Sequence, residues 1–192
     1  MTAILRTLLL ALFFSANAFA SVPPEDEQQA LTRYLQQSLN QEHSFTDKFD
    51  AQVWLMTMQQ PLSRYIKDPE QRIDFLTQVH AEAHRAGIPP DLVLALIEVE
   101  SHFKRFAVSR VGAQGMMQIM PFWKNEIGRQ DDNLTAIATN LRYGCTILKF
   151  YLDREKGNIA PALARYNGSY GRTVYSDKVL KTWRTHWYGP AF

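Results

Sequence analysis

The sequence predicts an all-α fold. Apolar residues recur with the 3.6-residue period of an amphipathic helix over most of the chain. No run of β-branched residues alternates with polar ones, and no Asn-Gly or Asp-Gly pair joins two such runs, so strand signals are nearly absent. Hydrophobic residues make up 46% of the 192 residues, which excludes a disordered chain and is enough to build one sizeable core.

The helices of the first half are recognised by their periodicity and by their end residues. Residues 25–40 and 48–66 fit two amphipathic helices, and Pro61 is expected to kink or break the second. Asp68, followed by proline, has the residue type of an N-cap. The helix that it begins is expected to end at Gly87, because glycine readily takes the left-handed backbone of a C-cap.

The second half is predicted to be helical as well. A helix that starts at Pro89-Pro90-Asp91 is apolar on nearly all sides, which is typical of a helix buried at the centre of a domain. A loop with two glycines follows at 104–115, and then a short helix that Pro121 ends or kinks. Three further helices are predicted at 134–154, 159–166 and 176–185.

The first twenty residues have the pattern of a signal peptide. One basic residue precedes an apolar run from Leu8 to Phe14, and small residues lead to an expected cleavage site after Ala20. The apolar run is too short to span a bilayer comfortably, and no cysteine near the cleavage site could accept a lipid. We therefore expect a soluble periplasmic protein with no lipid anchor.

Charge and metal-ligand patterns exclude several classes of function. The net charge is +2 without a long basic run, so nucleic-acid binding is not expected. Cys145 is the single cysteine, so no intramolecular disulfide can form. His80 and His84 lie four residues apart, as zinc ligands do on a helix, but no third ligand is evident and we predict no metal site.

Glu100 is the residue that points to chemistry. It ends a hydrophobic helix, where apolar neighbours would raise the pKa of its carboxyl group and make it a general acid at neutral pH. A surface glutamate at the end of a helix is the simpler alternative. Glu98 is two residues away, about 200° around the helix, so both cannot point into one cleft; we expect Glu98 to be solvated or to pair with a basic neighbour.

Several motifs follow one another along the second half of the chain. The first occupies residues 100–103 (ESHF), 107–109 (AVS) and 112–121 (GAQGMMQIMP), and later ones occupy 140–144 (NLRYG) and 162–168 (ALARYNG). In this order they resemble the catalytic domain of the soluble-lytic-transglycosylase (SLT) family of the lysozyme-like superfamily, and the resemblance covers about residues 72–186. Met116 stands in place of the usual leucine, and NGSYG replaces the commoner NAGPG after Tyr166.

The resemblance implies a lysozyme-like (goose-type or SLT) helical catalytic domain at residues 71–192, preceded by an N-terminal helical extension at 21–70. It implies a lytic transglycosylase, a lyase that cleaves the β-1,4 bond between N-acetylmuramic acid and N-acetylglucosamine in peptidoglycan (murein) of the cell wall and forms a 1,6-anhydro product. Glu100 would act first as acid and then as base, without a cofactor. The residues that match substrate-binding positions of the family are Ser109, Gln118, Met120, Tyr166 and Asn167.

Simpler roles stay open for these residues, and two other functions stay open for the chain. Ser109 could cap the loop, and Gln118 could satisfy backbone groups. A lysozyme-like muramidase would need a second carboxylate, for which Asp131 and Asp132 are candidates by location alone. A non-catalytic murein-binding envelope protein would not need Glu100. We expect a monomer whose partner is the peptidoglycan glycan strand, with an envelope-assembly protein as a candidate partner of the extension.

Overall fold

The computed structural model describes residues 48–188, with side chains from residue 53 onward. Within that range the chain forms helices and no strand, which confirms the all-α prediction. The helices are α1 (Lys48–Leu62), α2 (Pro69–Ala86), α3 (Pro90–Ser101), α4 (Trp123–Ile127), α5 (Ile137–Arg154), α6 (Ile159–Tyr166), α7 (Val174–Thr182) and a π-helix (Trp183–Trp187). The predicted signal peptide and the helix predicted at 25–40 lie outside the described residues.

Helix α3 is the central helix of the fold. Residues 92–98 are all buried, as its nearly all-apolar surface predicts, and α2, α7 and the π-helix pack around it. The helix ends where His102 and Phe103 take left-handed backbone angles, with φ of 52° and 60°. The chain therefore turns sharply just after Glu100, at the end of the most deeply buried helix. No helix within 48–188 is long and apolar enough to cross a membrane.

Helix α1 shares the hydrophobic core of the helices that follow it. Trp54, Met58 and Leu62 recur every four residues and are 5%, 2% and 0% exposed. Full burial of side chains of this kind stabilises a fold by about 1.5–3 kcal/mol each. Just beyond the helix, the ring of Tyr65 packs on Phe103 with centroids 4.6 Å apart. The described part of the extension is thus packed directly on α2, on the π-helix and on Phe103 just after α3.

The ends of α2 agree with the sequence prediction. The carboxylate of Asp68 accepts a hydrogen bond from the backbone N–H of Gln71 at 2.9 Å, which makes it the N-cap. At the other end, Gly87 has φ of 65°, and its N–H donates to the carbonyl of His84 at 3.0 Å. These caps satisfy backbone groups that a helix end otherwise leaves unpaired.

Three other boundaries differ from the prediction. Helix α1 ends at Leu62 and not at residue 66, because Pro61 occupies its last turn and offers no N–H. The short helix α4 follows Pro121 and is not ended by it, since the fixed φ of proline suits the start of a helix. The last helix becomes a π-helix after Thr182, and from there Trp183 and Trp187 both reach carboxylates of α3.

Candidate active site

Glu100 lies in the last turn of α3 and faces α7. Its Oε1 accepts a hydrogen bond from the hydroxyl of Tyr175, in the first turn of α7. The positive charge of Lys178, one turn further along α7, also acts on the carboxylate. Tyr175 is 75 residues away in sequence and belongs to none of the motifs that indicated the site. The sequence analysis therefore missed the residue that holds Glu100.

The environment of Glu100 gives its carboxyl group the acidity of a general acid at neutral pH. Burial raises its pKa from 4.5 to about 7, although the hydrogen bond from Tyr175 and the charge of Lys178 both favour the ionised form and lower it. A group with this pKa populates both its protonated and its ionised forms near pH 7. It can therefore donate a proton and accept one back within a single turnover.

This pKa predicts that Glu100 destabilises the folded protein at neutral and alkaline pH. The unfolded chain loses the proton near pH 4.5 and the folded chain only near pH 7, so the free energy of unfolding falls as the pH rises between these values. The shift of the pKa from 4.5 to about 7 corresponds to about 3 kcal/mol in the free energy of unfolding. Solvent around the half-buried side chain of Glu100 makes the effect smaller. Glu100→Gln, which is neutral at every pH, should raise the Tm at about pH 8 and leave it unchanged at about pH 4.

Thermal unfolding followed by circular dichroism at these two pH values tests that prediction. Glu70→Gln is the matched control, because Glu70 is an exposed carboxylate in the first turn of α2. A change in Tm that is the same at both pH values would contradict the prediction, since a pH-independent change reports packing and not titration.

The loop after α3 holds Ser109 and Gln118 through contacts within the loop itself. The hydroxyl of Ser109 accepts a hydrogen bond from the N–H of Ala113 at 3.0 Å. The side-chain amide of Gln118 donates to the carbonyls of Gly115 at 2.8 Å and of Ala107 at 3.3 Å. These are the loop-capping and backbone-satisfying roles that the sequence left open. Contact of either side chain with substrate stays a prediction.

A buried asparagine of α5 fixes this loop, and the sequence analysis did not single it out. Asn140 is 1% exposed, and its amide donates to the carbonyls of Gln114 at 3.0 Å and of Leu134 at 2.8 Å. Its oxygen accepts from the N–H of Met117 at 2.7 Å. Gly115 lies against it so closely that a Cβ atom there would be 2.3 Å from the Asn140 amide nitrogen. Two of these hydrogen bonds therefore fix the loop to α5, and the third fixes Leu134 to the same side chain.

Tyr166, at the end of α6, also supports the loop. Its hydroxyl donates to the carbonyl of Met117 at 2.8 Å, whereas the hydroxyl of Tyr175 is the one that bonds to Glu100. Burial and the nearby charge of Glu100 raise the pKa of both tyrosines well above the ordinary value. Both hydroxyls consequently stay protonated and remain hydrogen-bond donors.

Met120 and Asn167 are half-buried at the ends of the elements that border Glu100. Met120 packs against the core at the end of the loop, and Asn167 is the C-cap residue of α6, where its backbone N–H donates to Leu163 at 3.1 Å. Ser101, next to Glu100, donates from its hydroxyl to the carbonyl of Met116 at 2.8 Å. The hydrogen bonds from Ser101 and Tyr166 therefore hold the turn at Met116 and Met117 next to the end of α3. Contact of Met120 or Asn167 with substrate stays a prediction.

The acidic residues considered as partners of Glu100 are bonded elsewhere or exposed. Glu98 is buried and paired with His186, with Oε1 and Nδ1 2.8 Å apart, so the expected basic partner is found but the expected solvation is not. Asp132 accepts hydrogen bonds from the hydroxyl of Tyr143 and from a backbone N–H in its own loop. Asp131 is exposed in the same loop.

Other residues that the sequence left open occupy structural positions. The rings of His80 and His84 stack with centroids 6.3 Å apart, and within 48–188 no three His, Cys, Asp or Glu side chains gather as a metal site would require. Cys145 is buried, and its burial raises the pKa of the thiol well above the ordinary value. The indole of Trp123 is buried and packs against the ring of Phe122, with centroids 4.4 Å apart.

Comparison with known proteins identifies the family of these motifs. The family model described as "Transglycosylase SLT domain" matches residues 77–181, a little over half of the chain. Among curated proteins, a membrane-bound lytic murein transglycosylase C of Actinobacillus pleuropneumoniae serotype 5b (strain L20) is 47% identical over 47 residues, which are 24% of this chain and 13% of that protein. A membrane-bound lytic murein transglycosylase F of Desulfosudis oleivorans is 30% identical over 111 residues, 56% of this chain and 24% of that protein.

A further curated relative and one solved structure are also named lytic transglycosylases. The membrane-bound lytic murein transglycosylase C of Yersinia pestis (strain Pestoides F) is 30% identical over 123 residues, 54% of this chain and 34% of that protein. The X-ray structure of an inactive mutant of lytic transglycosylase Slt from Pseudomonas aeruginosa has a TM-score of 0.48 and 25% identity, covering 70% of this chain and 25% of that one. The chain thus spans about a third or less of the length of each of these proteins.

Proposed function

We propose, from the premise that the chain belongs to the transglycosylase SLT domain family, that it is a peptidoglycan lytic transglycosylase. Its substrate is the glycan strand, and its reaction cleaves the bond between N-acetylmuramic acid and N-acetylglucosamine. The observation that carries the proposal is the carboxyl group of Glu100, which has a pKa of about 7 and a hydrogen bond from Tyr175 at the end of the central helix. The names of the curated relatives support the same activity.

In the proposed reaction Glu100 acts twice. Its protonated carboxyl group gives a proton to the glycosidic oxygen as the bond from that oxygen to C1 of the muramic acid breaks. The N-acetyl group of the same sugar assists at C1. The carboxylate then removes the proton of the C6 hydroxyl, whose oxygen bonds to C1 and closes the 1,6-anhydro ring, so the reaction needs no water. A pKa near the working pH suits both steps.

The absence of a water step is what makes one carboxylate sufficient. A hydrolase needs a second carboxylate as nucleophile or base. Of the two residues considered for that role, Asp132 has other partners and Asp131 is exposed in the same loop. This favours the transglycosylase over the muramidase.

The remaining assignments belong to the same proposal. The residues proposed to contact the glycan are those that match substrate-binding positions of the family: Ser109, Gln118, Met120, Tyr166 and Asn167. The hydrogen bond from Tyr166 to Met117 supports this, because it ties α6 to the loop that follows Glu100. We divide the chain into a signal peptide at 1–20, an extension at 21–70 and a catalytic domain at 71–192. The periplasm is the proposed location, because that is where the signal peptide would deliver the protein and where its substrate lies.

Mass analysis of muropeptides released from purified sacculi tests the proposal. The expected products are one water lighter than reducing muropeptides, because the anhydro ring replaces the reducing end. Reducing muropeptides would show a hydrolase, and intact sacculi would indicate a murein-binding protein. Either of the last two results would contradict the proposed function.

A further inference from the structure

The face of α3 opposite to Glu100 carries two carboxylates, and each is bonded to a tryptophan of the π-helix. The indole N–H of Trp183 donates to Asp91 at 2.8 Å, and that of Trp187 donates to Glu98 at 2.7 Å. Asp91 and Glu98 are seven residues apart, so they lie on one face of α3 about two turns from each other. We call these four residues the tryptophan brace.

Glu98 is the more deeply buried end of the brace. It is 7% exposed, and Trp187 is 1% exposed. Besides the indole, Glu98 faces Tyr65, whose pKa is raised to about 12 by burial and by Glu98, and its oxygens lie 2.8 and 3.0 Å from Nδ1 of His186. A buried carboxylate is costly unless it is paired, and this one draws its partners from the segment after α1 and from the π-helix.

The brace has a direct geometric relation to Glu100. Glu98 and Glu100 are two positions apart, so their side chains leave α3 on opposite sides. Rotation or sliding of α3 would move Glu100 relative to Tyr175, which belongs to a different helix. Bonds at two points along the opposite face restrict both motions. The π-helix that supplies them is a rare conformation found mostly at functional sites.

We propose that Glu98 is a positioning residue of the active site, which acts through the tryptophan brace to hold Glu100 against Tyr175. This inference rests on the proposed function, in which Glu100 performs the chemistry. The described part of the extension then has a role as well, because its Tyr65 lies beside Glu98. The extension is then part of the unit that positions Glu100.

Kinetics of Glu98→Gln and Trp187→Phe test the proposal. Glu98→Gln keeps the size of the side chain and removes its charge. Trp187→Phe removes the indole N–H together with part of a buried ring. We expect kcat for anhydromuropeptide release to fall about 10- to 100-fold, the size of effect that a small misplacement of a reacting group produces, while KM changes less than about twofold because no contact with substrate is lost. The products of the wild-type protein test the proposed function on their own. The role of Glu98 is judged only from the ratio of kcat in the variant to kcat in the wild type.

Glu82→Gln is the matched control. Glu82 is also a shielded carboxylate bonded to two side chains, Arg85 and Arg142 at 2.7 Å each, but it lies on α2 and away from the brace. A general loss of stability would lower activity in both variants alike. The proposal requires that Glu82→Gln keep kcat within about twofold of the wild type when the temperature is well below both values of Tm.

A double-mutant cycle and hydrogen exchange separate positioning from simple stabilisation. If Glu98 acts by placing Glu100 against Tyr175, Glu98→Gln should cost much less in the Tyr175→Phe background than in the wild type. Amide exchange at 101–103 should accelerate in Glu98→Gln and not in Glu82→Gln, a readout that needs no enzymatic activity. Additive effects on kcat, or unchanged exchange at 101–103, would overturn the proposal.

Discussion

Glu100→Gln is expected to lower the release of anhydromuropeptides from sacculi by about a thousandfold. Proton transfer by a positioned side chain contributes about 10²–10⁴ to a rate, and here one group serves both the protonation of the leaving oxygen and the deprotonation of the C6 hydroxyl. Glutamine keeps the size of the side chain and an oxygen that can accept the hydrogen bond from Tyr175. The loss would therefore report the missing proton and not a displaced side chain.

The measurement is the initial rate of product release at a fixed concentration of sacculi, followed by chromatography. Glu70→Gln is again the control, since it removes an exposed carboxylate from α2, and its rate should equal that of the wild type. The pH–rate profile adds a second readout, in which the wild-type rate falls as the pH rises through about 7 because the general acid is lost. A Glu100→Gln variant that retains more than about a tenth of the wild-type rate would contradict the assigned role.

Gly115→Ala is expected to destabilise the fold by about 3–5 kcal/mol, because it combines an unfavourable backbone angle with a clash in a packed core. Gly115 has φ of 77°, and a Cβ there would lie 2.3 Å from the side-chain nitrogen of Asn140 and 2.4 Å from the backbone carbonyl oxygen of Leu134. A backbone atom cannot move aside as a flexible side chain can. The clash falls on the asparagine that holds the loop, so activity should fall with stability.

Gly112→Ala separates the two causes. Gly112 lies in the same loop with φ of 88°, but a Cβ there would have no neighbour within 4 Å. The free energy of unfolding of this variant should fall only by the cost of the left-handed backbone angle, about 1–2 kcal/mol. Urea unfolding measures both free energies, and equal losses in the two variants would show that the contact with Asn140 and Leu134 contributes nothing.

The sequence predicted those features of the fold that depend on residues close together in the chain. The caps of α2 at Asp68 and Gly87 follow from local backbone chemistry, and the burial of α3 follows from its apolar composition. The position of Glu100 at the end of that helix was predicted for the same reason. Its pKa could be predicted in direction, because burial by apolar neighbours has one sign.

The features that the sequence did not reveal depend on long-range contacts. Tyr175 meets Glu100 across 75 residues, and Trp187 meets Glu98 across 89. No local pattern distinguishes these side chains from ordinary core aromatics, since the same periodicity serves packing and hydrogen bonding. Asn140 is an intermediate case, because it belongs to one of the motifs in the sequence, but its partners Gln114 and Met117 lie 26 and 23 residues away.

The measurement that tests the central claim most directly is digestion of sacculi in water enriched in oxygen-18. A lytic transglycosylase closes the anhydro ring with the sugar's own C6 oxygen, so we predict released muropeptides that carry no label and are one water lighter than reducing ones. A muramidase digest in the same water is the positive control, because hydrolysis adds one solvent oxygen at each cleaved bond. Labelled reducing ends in the products of this protein would contradict the account and would require a second catalytic group beside Glu100.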